Sequence, residues 1–151
     1  MARRPFLPLL IVGLAAVSLV ACGSEDVSDV PTAPTEASGA PVAQGVVPVS
    51  PAEGSALIES MGAALTIIDV RTPEEFAAGH LEGAVNMDVE GGQFSTLIAD
   101  LPKDGEYIVY CHSGRRSAIA ADAMAQAGFA TIYDLGGIAD WQAAGLPIVT
   151  G

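Results

Sequence analysis

From residue 46 onward, short apolar runs alternate with sequences that start helices, and this alternation narrows the folds open to the chain more than any other feature. The runs are VVPV (46–49), LTIIDV (65–70), AVN (84–86), EYIVY (106–110) and TIYDL (131–135). They are rich in β-branched and aromatic residues and nearly continuous, the pattern of strands buried on both faces. Ser50-Pro51-Ala52-Glu53 and Thr72-Pro73-Glu74-Glu75 each supply a hydroxyl cap, a proline at the first helical position and a glutamate two residues further on. Those side chains satisfy amides that a helix start leaves without partners, so a helix is expected after each. A third is expected from Arg116 or Ser117 to Gln126, with Gly128 as its stop, and a fourth from about Ile138 to Ala144 before Gly145. The predicted class is α/β, with a central, mainly parallel sheet covered by helices on both faces. Ligands of such sheets bind beyond the carboxyl ends of the strands. Cys111, one residue past EYIVY, and Asp69 to Arg71, closing LTIIDV, are both expected on that rim.

A chain of 151 residues accommodates one domain with appendages and is long enough for a self-supporting core. Its formal charge of −12 excludes a nucleic-acid partner, whose phosphates need Lys and Arg, and leaves no polybasic patch for a membrane surface.

The first 22 residues, MARRPFLPLLIVGLAAVSLVAC, have the form of an export segment: Arg3 and Arg4, an apolar run, then small residues. The ending Leu19-Val20-Ala21-Cys22 resembles the lipobox of bacterial lipoproteins, in which the cysteine is lipidated and becomes the new N-terminus. The expected division is therefore a signal peptide over 1–21, an acylated N-terminus and tether over 22–45, and a folded domain over 46–151. An uncleaved signal anchor is the alternative, because the run approaches the roughly 20 residues that span a bilayer. Either arrangement puts the domain outside the cytoplasm. RRPFL also resembles a twin-arginine signal, so the export route is left open between that and the general secretory one. Residues 23–45 carry Ser, Asp, Glu, Pro, Thr and Ala with no apolar period. A flexible tether of that length reaches on the order of 25–30 Å.

Loss of residues 1–21 removes Arg3 and Arg4 and leaves four basic residues against 18 acidic ones, a net of −14. Two of the four cations are Arg115 and Arg116, in the stretch CHSGRR (111–116). That is odd placement for a merely solvated face. With Cys22 lipidated, Cys111 is the remaining thiol, which excludes an intramolecular disulfide and leaves a metal site to His and carboxylates.

Three segments, DVRTPEEFAAGHLEGAVNM (69–87), CHSGRRS (111–117) and DLGGIADW (134–141), resemble in order and spacing the single-domain rhodanese-like sulfurtransferases. The resemblance covers about residues 46–149. It implies the three-layer fold of that family and a thiolate that attacks the outer sulfur of a donor such as thiosulfate. The thiolate holds that sulfur as a persulfide and passes it to a thiol or cyanide. It implies no cofactor and no metal, a small anionic donor as partner, and a monomer. Cys111 is the implied nucleophile and Arg116 the group that binds the donor and orients the loop, with His112, Ser113, Gly114 and Arg115 lining the substrate. A strand-to-helix loop turns backbone N–H groups inward, and with the helix dipole these favour thiolate over thiol. Gly114 lets the backbone turn tightly there.

Several residues have more than one reading. Arg115 is either solvated or steers the donor; His112 is either a base or a shaper of the loop that contacts the donor. Asp69 and Arg71 are expected to pair and brace the loop, with Ser117 as further support. His80 and Trp141 are read as structural. Phosphatase and arsenate-reductase relatives carry Cys-x5-Arg, whereas here the fifth residue after Cys111 is Arg116 and the sixth is Ser117. The loop is one residue short for that chemistry. Mercaptopyruvate-using relatives lack paired arginines, so thiosulfate is the expected donor. A rival of another class is an extracytoplasmic module that binds persulfide or senses oxidants with little turnover.

Overall fold

The computed structural model describes residues 45–151; the expected export segment, Cys22 and most of the expected tether lie outside the described residues. Five strands, β1 (Val46–Pro48), β2 (Leu65–Asp69), β3 (Val85–Asn86), β4 (Glu106–Cys111) and β5 (Thr131–Gly137), alternate with five helices. These are α1 (Pro51–Met61), α2 (Pro73–Ala78), α3 (Phe94–Ala99), α4 (Arg115–Gln126) and α5 (Ile138–Ala143), with a 3-10 turn at Gly62–Ala64. Ser50 and Thr72 cap α1 and α2 as expected, and in each case the glutamate at N3 reaches back to the cap amide. At the end of α4, Gly128 adopts φ +89 and Phe129 N–H donates to Met124 O, which stops the helix where the sequence predicts.

β1, β2 and β3 are each one residue shorter than the expected runs, and three further boundaries differ around the loop. β4 takes in Cys111, which is its last residue and not the one beyond it. α4 starts at Arg115, one residue early. β5 runs on to Gly137 because a bulge lets it: Val109 pairs with Asp134 and Tyr110 with Gly136, leaving Leu135 extra. Gly136 turns at φ +76 and donates its amide to Asp134 Oδ1. Helix α3 has no counterpart in the expectation, since Gln93 at its start makes no side-chain capping bond and so leaves no start signal.

The strand order is β1-β5-β4-β2-β3, with every neighbouring pair parallel. The core lies on both faces. Tyr107, Val109 and Cys111 of β4 pack with Phe94 and Ile98 of α3 and Ala120, Ala121 and Met124 of α4. Ile108 and Tyr110 pack on the opposite side with Ile138 and Trp141 of α5, against Leu57 and Ile58 of α1. The period of two along β4 therefore assigns Cys111 to the face of α4. Ile68, Ile108 and Ile132 are fully buried, each contributing about 1.5–3 kcal/mol of transfer free energy.

Candidate active site

The carboxyl end of β4, flanked by β2 and β5, delivers Cys111 to the rim of the sheet, and the chain turns there directly into α4. Cys111 is 1 % exposed. Gly114 makes the turn at φ +94, in the left-handed region where side chains are strained, and its N–H donates to Cys111 Sγ at 3.1 Å. Ser117 Oγ and Ala118 N–H both donate to Gly114 O, at 2.9 and 3.1 Å, tying the loop to the first turn of the helix. The amides of Arg115, Arg116 and Ser117 open the helix without acceptors inside it. Their N–H dipoles raise the local potential at the start of the helix. Among the described residues Gly114 supplies the one amide hydrogen-bonded to Sγ, where the sequence led us to expect several.

The loop rests on β5. A Cβ at Gly137 would lie 2.7 Å from His112 O and 2.9 Å from Ser113 Cα, both backbone atoms, so only glycine permits this approach. Ala139 N–H donates to His112 O at 3.3 Å, fixing the loop from the start of α5. Gly136 and Gly137 thus form the floor of the site. Sequence reasoning did not single them out, although a glycine pair in an apolar strand marks a bulge or a close backbone approach.

Charge around the loop is arranged in four ion pairs among the described residues. Asp69 and Arg71 form a buried pair, with Arg71 Nη2 2.6 Å from Asp69 Oδ2 and Nε 2.9 Å from Oδ1. Arg71 Nη2 also donates to Gly79 O at 2.6 Å, and Asn86 Nδ2 donates to Arg71 O at 2.8 Å, so the pair ties together the segments that follow β2 and α2. Burial pulls the Arg71 guanidinium down, but the hydrogen bonds and charge of Asp69 outweigh it and the net direction is up. Arg116 donates from both terminal nitrogens to Glu75, at 2.7 and 2.8 Å. That pairing holds the Glu75 carboxyl, against its burial, at about 2 and raises the Arg116 guanidinium above its ordinary value. Arg115 meets Glu90 at 3.1 Å, and the second Glu90 oxygen lies 3.5 Å from Arg116 Nη1. Next to Cys111, burial pushes the Tyr110 phenol far up; its oxygen accepts from Leu81 N–H at 3.1 Å, and it stays protonated.

His112 and Ser113 are exposed. His112 lines a cleft of about 310 Å³ beside the loop with Arg71, Glu75, Gly79, Ile138 and Gln142. Among the described residues it makes no hydrogen bond to Cys111 Sγ, whose partner is Gly114 N–H. Ser117 is buried at the foot of the loop. His80 stacks on Phe76, with Nδ1 3.0 Å from Phe76 O, and Trp141 is buried with Nε1 donating to Pro147 O at 2.8 Å; both are packing positions. Glu75 and Glu90 were not read from the sequence as site residues. Glu75 carried a signal only for the cap, and nothing local in the chain points Glu90 toward residues 25 and 26 positions away. The arrangement places a buried thiol at the end of a strand and just before a helix whose first two residues are arginines, a setting in which a cysteine could act as a nucleophile toward a small anionic electrophile.

The rhodanese-like domain family matches over residues 50–144. The chain is 36% identical over 96 residues to a thiosulfate sulfurtransferase GlpE of Ectopseudomonas mendocina, covering 63% of this chain and 84% of that one. It is 36% identical over 84 residues to a sulfurtransferase of Allochromatium vinosum, covering 55% and 77%. Among solved structures, the Alr3790 protein from Anabaena superposes with a TM-score of 0.62 at 28% identity, over 68% of this chain and 82% of that one. A rhodanese-related protein from Thermoplasma volcanium gives 0.60 at 29% identity, over 68% and 97%. With its parallel sheet, its cysteine at the end of the central strand and its glycine turn into a helix, the chain belongs to the rhodanese-like family.

Proposed function

We propose that the protein is a thiosulfate sulfurtransferase working through a persulfide on Cys111. The observation that carries this reading is the hydrogen bond from Gly114 N–H to Cys111 Sγ, 3.1 Å long, at the mouth of a helix whose opening amides have no acceptors within it. Cys111 reacts as thiolate, its proton having gone to solvent. The thiolate attacks the outer sulfur of thiosulfate, a new S–S bond forms, the donor's S–S bond breaks, and sulfite departs with the electron pair. Cyanide or a thiolate then attacks the outer sulfur of the persulfide and the electron pair returns to Cys111, leaving thiocyanate or a new persulfide. The loop amides and Arg115 and Arg116 offset the negative charge that both steps gather at the site. The relatives named as thiosulfate sulfurtransferases support the choice of donor. So does the loop length, since six residues from Cys111 to Arg116 are one fewer than a tetrahedral oxyanion needs. From the N-terminal sequence we further propose that the domain, residues 46–151, works outside the cytoplasm as a monomer on a lipidated Cys22.

Thiosulfate:cyanide turnover tests the assignment. The protein should produce thiocyanate and show no hydrolysis of an aryl phosphate. Aryl phosphatase activity dependent on Cys111 would overturn the reading, and a persulfide that forms but passes to no small thiol or cyanide would replace it with a carrier or sensing module.

A further inference from the structure

Four cations belong to the described residues, and two of them are committed to partners inside the fold: Arg71, which also borders the cleft with His112, to the buried Asp69, and Lys103 to Ile98 O and the face of Phe129. Arg115 and Arg116 remain to receive an anionic donor. Both are already engaged by carboxylates of different kinds. Glu75 gives both oxygens to Arg116, at 2.7 and 2.8 Å, and is held in place by Thr72 N–H as part of the α2 capping box. Glu90 divides its oxygens instead, Oε1 to Arg115 Nη2 at 3.1 Å and Oε2 to Arg116 Nη1 at 3.5 Å. Its side chain is 52 % exposed and that of Arg115 71 %. It sits on the short loop between β3 and α3, followed by Gly91 and Gly92, the latter at φ +77, and its own amide is held by Asp88 Oδ1 at 2.8 Å. A carboxylate with one oxygen on each of two arginines takes up N–H groups that an anionic donor bound by those arginines would need.

We propose that Glu90 is an internal competitor of the donor: its carboxylate bridges Arg115 and Arg116 and must be displaced when the donor binds, so Glu90 sets how strongly the site discriminates by donor charge. This rests on the reading of the protein as a sulfurtransferase with an anionic donor. The long, exposed contacts of Glu90 make it displaceable, because exposed pairs are weak, whereas the bidentate bond of Glu75 keeps Arg116 oriented. Glu90 is thereby a specificity residue that acts through the two arginines and takes no part in bond making.

The test uses the full chain and three variants, Glu90→Gln, Glu90→Asp and Glu59→Gln. The last removes one charge from α1, the helix on the opposite face of the sheet, and so reports long-range repulsion alone. Two quantities are read: KM and kcat for thiosulfate, and the concentration of sulfate that half-protects Cys111 from alkylation by neutral iodoacetamide. Glu90→Gln should lower both KM and the half-protecting concentration about two- to fivefold at low ionic strength, the range of an exposed ion pair. kcat should move less than KM, and the difference from wild type should shrink at about 0.5 M salt. Glu90→Asp should stay close to wild type and Glu59→Gln should shift neither quantity by as much. Unchanged or raised values in Glu90→Gln, or an equal shift in Glu59→Gln, would overturn the proposal. Lowered half-protection by sulfate in a protein that never turns over thiosulfate would leave Glu90 in this role and remove the sulfurtransferase reading instead.

Discussion

Tyr110 and Cys111 are neighbours in the chain with opposite surroundings, and the difference comes from one peptide step along a strand. Tyr110 points into the face of α5, where burial keeps its phenol protonated; Cys111 points to the face of α4, where a helix N-terminus awaits it. Asp69 and Arg71 pair as their sequence positions suggest, and breaking such a buried pair by removing one partner costs about 3–5 kcal/mol. The partner of Arg116 was not legible, because Glu75 lies 41 positions earlier and its spacing to Thr72 already accounted for it as a capping residue. The Glu75 carboxylate is lowered from its ordinary 4.5 to about 2 by Arg116. A lowered carboxylate contributes stability that is fully present above about 4.5 and is lost as pH falls through about 2. The Glu75–Arg116 clamp therefore stays charged throughout the mildly acidic and neutral range. Arg116→Ala should lower kcat/KM for thiosulfate on the order of 10- to 100-fold, equivalent to a hydrogen bond to a charged group of roughly 1.5–3 kcal/mol. Arg115→Ala, at an exposed pair, should change it by less than about fivefold. Steady-state kinetics of the two variants check the order, and near-wild-type values for both would mean that the donor binds elsewhere.

At the scale of elements, the site is made where β4, α4 and the bulged end of β5 meet. The strand runs and the two capping boxes were legible because their signals are local: apolar continuity for β2 and β4, hydroxyl-proline-glutamate spacing for α1 and α2. Helix α3 was not, since it forms by packing Phe94 and Ile98 into the core without a cap. The bulge was not legible either, because an extra Leu135 shows itself only in the pairing with β4. Its consequence is the Gly136–Gly137 floor under the active loop. Gly137→Ala should push the backbone of His112 and Ser113 outward, since the new Cβ would meet those atoms at 2.7 and 2.9 Å. Such overpacking destabilises by about 1–3 kcal/mol. We expect the midpoint of thermal unfolding to drop and kcat/KM to fall well beyond the fraction of protein unfolded; a variant with unchanged melting and turnover would show that the loop does not depend on this contact.

The whole molecule is strongly acidic, and the four cations among the described residues are each paired: Arg71 in the core with Asp69, Lys103 over Phe129, and Arg115 and Arg116, at the start of the helix that follows Cys111, with Glu90 and Glu75. A dianionic donor such as the one proposed would approach a chain of formal net charge −12 and would have to be captured locally. The tether and the lipidation proposed at Cys22 would hold such a protein at a membrane that its charge alone would not attract, and two or more acyl chains anchor stably where one is marginal. Cys22→Ser should move the protein from the membrane fraction to the soluble one, and wild-type protein found unmodified and only soluble would remove the anchor. The central claim concerns sulfur on Cys111, and intact-mass measurement after incubation with thiosulfate tests it most directly. The wild-type protein should gain the mass of one sulfur atom and lose it on addition of cyanide, while Cys111→Ser gains nothing. An adduct that persists in Cys111→Ser, or a wild-type mass unchanged by thiosulfate, would contradict the account.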